Sequence, residues 1–238
     1  MRRSVLWPWA IVAFASPALG QVEVRSASPQ ALAWDGKALW TVDQDAKVRM
    51  LDAQSGAEVR ALDSAVKTPR AMVFEGERIW IADDKAMILS ALDRATGRVV
   101  KTVPLPTSPE RGFKSVEGLA WDGKHLWAAY YAGFSSSLNE IDPETGRLLR
   151  SIYADCHPRG LASDGAKLWT LCNGGGTVPA VVDQRPILER EHEMLKARTF
   201  LARVEAQDPS SLTFDGKNLV VLDRRSRKIV RVPLPTDR

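Results

Sequence analysis

The sequence is short of the residues that most often do chemistry. It holds three histidines and two cysteines, and they do not fall at the spacing of a metal-binding motif. No HExxH string and no nucleophile elbow occurs. The one glycine-rich stretch, Asn173-Gly174-Gly175-Gly176, does not lead into a helical pattern as a phosphate loop would. Asp43, Asp45, Asp83 and Asp84 lack the ligand spacing of a single calcium loop. These absences argue against zinc hydrolases, elbow-type serine hydrolases and P-loop enzymes, and no metal or cofactor is expected. Charge of one sign is also scarce. The net charge is +4, half of it from Arg2 and Arg3, and the one basic cluster (Arg224, Arg225, Arg227, Lys228) falls short of a nucleic-acid stripe. No nucleic-acid partner is expected, and no apolar run reaches the roughly 20 residues of a membrane-spanning helix.

What is present begins with a leader. Arg2 and Arg3 precede an apolar run from Val5 to Phe14, and Ala18-Leu19-Gly20 forms a small-residue cleavage site before Gln21. Residues 1–20 therefore read as an export signal and 21–238 as one domain, periplasmic or secreted. In an oxidising compartment Cys156 and Cys172 are expected to pair. They flank one sequence repeat, at the start of its first strand and the end of its second, which antiparallel pairing brings together. A loop of about 15 residues closed this way contributes roughly 3 kcal/mol in the chain-entropy treatment.

The repeat itself is most legible as Gly118 to Trp127, G-L-A-W-D-G-K-H-L-W. It returns at 31–40, 71–80, 160–169 and 211–220. Each copy is an apolar strand, an Asp-Gly type of turn and a second strand ending at Trp40, Trp80, Trp127, Trp169 or Val220. A spacing of roughly 40–50 residues built from short strands selects a β-propeller over helical repeats. Third strands end at Leu51-Asp52, Leu92-Asp93, Ile141-Asp142 and Val182-Asp183. Fourth strands run through Val59–Leu62, Val100–Val103, Leu149–Ile152 and Leu201–Val204. The last unit lacks a fourth strand, and Val22 to Ser26 is expected to supply it, closing the ring without an open edge. The fold class is thus all-β: a five-bladed propeller of four-stranded antiparallel blades, expected to be a monomer. The six tryptophans of residues 21–238 all fall on two repeated positions and are expected to pack between blades. The Glu-, Lys- and Leu-rich insertion 187–197 reads as a short helix or long turn.

Function is sought where the copies differ. The residue just before each repeat, at Gln30, Arg70, Glu117, Arg159 and Ser210, is expected near the channel on one face. Two readings stand there: salt bridges lining the channel, or recognition of an anionic group by Arg70 and Arg159. Three longer connections fall on the same face, at 104–116, 130–137 and 173–179. With their neighbours they gather Phe113, Tyr130, Tyr131, Phe134 and Tyr153, a candidate surface for a small molecule, a peptide or a protein. A purely structural component of the cell envelope is the alternative without a ligand.

The string x-G-L-A-W-D-G-K-x-L-W followed by I-D-P-E-T-G (141–146) resembles the exported bacterial propellers of the NHL and YVTN repeat type. It is most similar to repeats of the glutamine cyclotransferases, the plant-type glutaminyl cyclases. That resemblance implies a five-bladed ring and a cyclisation of N-terminal glutamine. Gln30-Ala31-Leu32 matches the family's Q-G-L string with Ala for Gly, so Gln30 would contact substrate. The family's E-G-L string matches Glu117-Gly118-Leu119, one blade later than expected, and makes Glu117 the acid/base candidate.

Overall fold

The computed structural model describes residues 22–26, 28–106, 115–133, 135–173, 180–188, 194 and 199–234. Residues 1–20, read above as a leader, Phe113, Phe134 and most of the 187–197 insertion lie outside them. The chain opens with β1 (Val22–Glu23) and then lays down four complete antiparallel blades. Blade one is β2 (Pro29–Trp34), β3 (Leu39–Asp43), β4 (Lys47–Leu51) and β5 (Glu58–Asp63). Blade two is β6 (Pro69–Glu75), β7 (Arg78–Asp83), β8 (Ile88–Asp93) and β9 (Val99–Pro104). Blade three is β10 (Ser115–Trp121), β11 (Leu126–Tyr131), β12 (Ser136–Ile141) and β13 (Leu148–Tyr153). Blade four is β14 (His157–Ser163), β15 (Lys167–Asn173), β16 (Ala180–Pro186) and β17 (Thr199–Val204). Blade five is β18 (Pro209–Phe214), β19 (Asn218–Asp223) and β20 (Lys228–Pro233), completed by β1. Val22 pairs with Ile229 and Glu23 with Lys228, and the Val24 amide donates to the Arg227 carbonyl at 2.7 Å. The protein is a five-bladed β-propeller, and its ring closes where the sequence predicts.

The two strands of each repeat meet as anticipated: Ala33 opposite Trp40, Val73 opposite Trp80, Ala120 opposite Trp127 and Ala162 opposite Trp169. These four second-strand tryptophans are fully buried, each stabilising the blade contacts by roughly 1.5–3 kcal/mol. Three of them also have a polar anchor that the turn supplies. Trp40 Nε1 donates to Asp35 at 2.9 Å, Trp80 Nε1 to Glu75 at 2.6 Å and Trp127 Nε1 to Asp122 at 2.7 Å. The turn acid thus has a second use beyond shaping the hairpin, as the partner a buried indole N–H requires. First-strand Trp34 and Trp121 differ from the expectation of burial between blades. They remain partly exposed at the turn end of the channel, because the innermost strands end there.

Blades three and four approach their neighbours closely. A methyl group added to Gly118 would stand 2.5 Å from the Leu161 nitrogen, and one on Gly160 would stand 2.5 Å from the Leu212 nitrogen. Met194, the described residue of the inserted segment besides Ile187 and Leu188, is fully buried against Trp127, Leu138 and Ile152. No helix among the described residues is long and apolar enough to cross a membrane.

Candidate functional site

The five residues before the repeats share one structural origin. In every innermost strand the pairing slips by one residue: between Pro29 and Ala31, Pro69 and Ala71, Val116 and Gly118, Pro158 and Gly160, and Pro209 and Ser211. The unpaired residues are Gln30, Arg70, Glu117, Arg159 and Ser210. Each is a β-bulge, a device that bends a strand end and re-aims the extra side chain. The sequence marks these positions as variable, and the backbone explains why they can vary.

Four of the blades are linked there by alternating charge. Arg70 Nη2 on blade two donates to both carboxylate oxygens of Glu117 on blade three, at 2.9 Å each. Arg159 Nη1 on blade four stands 3.9 Å from the same carboxylate. Arg159 Nη2 meets Asp208 at 2.9 Å and Arg159 Nε donates to the Pro209 carbonyl at 3.2 Å. Arg224 of blade five closes the arc on Asp208 at 3.0 Å. Glu117 is buried and also accepts a hydrogen bond from Ser115 Oγ. A buried carboxylate keeps its charge only with such partners. Asp84 borders the group, accepting from the Val116 amide at 2.9 Å. Burial, with the nearby charges of Glu117 and Asp83, pushes its carboxyl up against the pull of Arg70.

Blade one interrupts the arc. Gln30 turns its amide to the Ser28 carbonyl and hydroxyl at 3.2 and 3.4 Å. In blade five the buried Ser210 Oγ has no hydrogen-bond partner among the described residues. The channel salt bridges are therefore present, and Arg70 and Arg159 are each already committed to an acid of the protein.

Beside the arc, a cleft of about 220 Å³ opens between blades three and four. Its walls carry Tyr131, Tyr153, Asp155, Cys156 and His157. The Tyr131 ring stacks on the His157 imidazole with centroids 3.7 Å apart and planes at 15°. His157 Nε2 is buried and has no hydrogen-bond partner among the described residues. Burial, reinforced by Arg159 and Arg70 against the opposing pull of Glu117, holds this imidazole below its ordinary pKa. It is neutral at pH 7, so Nε2 is free to accept or donate one bond. The cleft floor is fixed by the Cys156–Cys172 disulfide, whose Cα atoms are 5.6 Å apart. Cys172 pairs with Pro158 in the hairpin, so the bridge spans the two strand ends as expected.

The predicted aromatics divide. Tyr131 and Tyr153 line the cleft, Tyr153 from the exposed end of an outer strand. Tyr130 does not lie in a loop: it stands in β11, one residue before its end, with its ring in the core against Leu105, Val116 and Leu119, and burial raises its hydroxyl far above the ordinary value. Phe113 and Phe134 fall outside the described residues. Ser28, Ser115, His157 and Asp208 were missed as site residues although a period of two could have found them. Each stands two positions before a bulge residue, on the same face of the strand.

No family model matches the sequence, and no curated protein matches it either. Solved structures resemble it in fold. The Myxococcus xanthus glutaminyl cyclase has a TM-score of 0.65 at 11% identity, covering 93% of this chain and 97% of that one. The crystal structure of a nidogen/laminin complex gives 0.58 at 17% identity, over 87% of this chain and 76% of the other. The β-propeller domain of Myceliophteria thermophila Cps50 (Swd1) gives 0.55 at 11%, over 92% and 99%. At such identities the likeness is one of fold, and the chain is a β-propeller like them.

Proposed function

We propose that residues 1–20 direct export, that 21–238 form one propeller domain, and that this domain binds a small polar ligand or a peptide end in the cleft between blades three and four. The observation that carries this reading is His157 Nε2, buried and unpartnered beside a stacked tyrosine at the edge of a fixed cleft. Leaving such a group unsatisfied costs about 1–3 kcal/mol, which a ligand hydrogen bond recovers. Tyr131 and Tyr153 supply flat amphipathic contact, and the neighbouring arc of Arg70, Glu117, Arg159 and Asp208 holds the cleft wall rigid. Arg70 and Arg159 act as scaffold and long-range field, since each already holds an acid of the protein through Nη2.

A second reading follows from the fold likeness to a glutaminyl cyclase. Glu117 would then move the proton of an N-terminal glutamine and Gln30 would contact the substrate. Against it stands the carboxylate of Glu117, whose two oxygens already accept from Arg70 and Ser115.

One experiment separates the two. The exported protein is mixed with a panel of short peptides, some with N-terminal Gln, and followed by thermal shift and by pyroglutamate release. Saturable stabilisation lost in Tyr131→Ala and His157→Ala, without turnover, supports the binding reading. Turnover abolished by Glu117→Gln would replace it with the cyclase. Binding that survives both cleft substitutions removes the site from consideration. The mass of the exported chain should begin at Gln21; an intact leader would refute export.

A further inference from the structure

The opposite end of the channel carries a second set of features that the cleft between blades three and four does not use. Each innermost strand ends at this face with one residue before the turn acid: Trp34, Phe74, Trp121, Ser163 and Phe214. Trp34, Trp121 and Phe214 remain partly exposed. They wall an opening of about 380 Å³ that narrows toward the channel into a space of about 100 Å³.

Five turn acids surround this face, and they are not alike. Asp35 pairs with Arg94 at 3.4 Å, Glu75 with Arg78 at 3.7 Å and Asp215 with Arg231 at 3.9 Å. Asp122 and Asp164, the two that line the opening, have no ion pair among the described residues. Asp122 accepts from the Lys124 and His125 amides and from Trp127 Nε1. Asp164 accepts through Oδ1 from the Ala166 and Lys167 amides of its own turn. It does not serve its blade's tryptophan, whose buried Nε1 has no partner among the described residues. The two turns touch: a methyl group on Gly165 would lie 3.2 Å from the Asp122 carbonyl oxygen. Asp164, with no ion pair among the described residues, and Asp122, whose carboxylate is held by its turn amides and Trp127 Nε1 beside His125 and Glu140, thus stand on adjoining turns at the rim of an aromatic funnel. Aromatic faces attract cations through their quadrupole, and the attraction grows as the site loses water. An anion is repelled by the rim, and a hydrated metal ion gains little from indole faces.

We propose that this end of the channel binds a small alkylated ammonium cation, held between Trp34, Trp121 and Phe214 with Asp122 and Asp164 as its counter-charges. The probe is choline, and its neutral isostere 3,3-dimethylbutan-1-ol is the comparison. Both are titrated into the whole protein and followed by tryptophan fluorescence and calorimetry. Choline should bind saturably, and more tightly than the alcohol. Asp164→Asn and Trp121→Leu should each weaken it about ten-fold. Equal binding of the alcohol, no saturable choline signal, or undiminished affinity in the Asp164→Asn protein overturns the proposal. Asp164 is exposed, so that variant reports on binding even if Trp121→Leu disturbs the fold. Tyr131→Ala, on the opposite face, should leave choline affinity unchanged; a loss there would also count against this site.

Discussion

Blades one, two and five hold their incoming loop by one method, and blades three and four by others. In the first group the second strand ends in a buried aspartate: Asp43, Asp83 or Asp223. Asp83 accepts from the Lys67 and Thr68 amides, from Thr68 Oγ1 and from the Ala86 amide. Asp223 takes the Gln207 and Asp208 amides and Ser226 Oγ in the same way. At the equivalent register blade three has Tyr130, opposite Val116, and blade four has Cys172, opposite Pro158. Cys156 stands two residues before its proline, as Lys67 and Gln207 do before theirs. The disulfide therefore occupies the place of an amide-to-carboxylate hydrogen bond. Where the aspartate is given up, the inner strands also carry Gly118 and Gly160 in place of Ala31, Ala71 and Ser211. The candidate cleft lies between these two exceptional blades.

The comparison can be broken most strongly at the covalent fastening. Replacing both Cys156 and Cys172 by Ser should cost about 3 kcal/mol, read as a lower urea midpoint, whereas reduction should leave the other four blades' pairing intact by far-ultraviolet dichroism. Gly160→Ala follows, at about 2–3 kcal/mol, because the added methyl meets Leu212 backbone. Ala31→Gly, the reverse exchange in blade one, should cost under about 1 kcal/mol. Asp83→Ala should cost about 2 kcal/mol by stranding its donors. A graft sharpens the equivalence: Cys156→Lys with Cys172→Asp should recover about 1 kcal/mol relative to the double serine variant. No recovery would show that the two fastenings are not interchangeable.

The smallest expected effect is in pH. Burial would raise the Asp83 and Asp223 carboxyls, but the donors around them prevail and hold both below 3.8. Their stabilisation is present above that ordinary value and is lost as pH falls through the depressed one. Asp43 runs the other way. Burial outweighs Ser26 and Arg49 and raises its carboxyl above 3.8, so its contribution is complete below that value and lost as pH rises through the raised one. In denaturation profiles, Asp83→Asn should therefore cost more at neutral pH than in acid, and Asp43→Asn less.

The blades were legible because Trp, Gly and Asp recur at fixed offsets and each offset has a local cause. Most strand limits, ring closure and the cysteine pairing followed from that periodicity. However, β16 runs on to Pro186, past the expected end at Val182-Asp183, because Arg185 and not Val182 stands opposite Leu168. The charged arc was only half legible: Arg70, Glu117 and Arg159 could be placed at one level, yet their pairing depends on strands 47 residues apart for the first two. Asp43 and Asp83 stood out as acids but end the second strands of separate blades, Asp83 held by its incoming loop and Asp43 accepting through one oxygen from Ser26 and Arg49. Tyr130 and Tyr131 are adjacent in sequence, and alternation along a strand sends one ring into the core and the other to the cleft. Trp34 and Trp121 share their blades with buried tryptophans, and only their position at a strand end leaves them open.

The ring is closed by two residue pairs of β1 on β20 and one further amide. Every other strand pairing within the described blades joins strands next to each other in the chain, so the first four blades can assemble as synthesis proceeds. Blade five also packs β18 on β2, where the Leu32 amide donates to Ser211 Oγ at 2.9 Å. The fifth waits for the C-terminal strands to find a segment made at the start. This latch is then the last part to form and the first to give way under a pull on the ends. Hydrogen exchange at the Val24 amide should be faster than at any second-strand tryptophan, and the circular wall would open there as a gate while the blades remain folded.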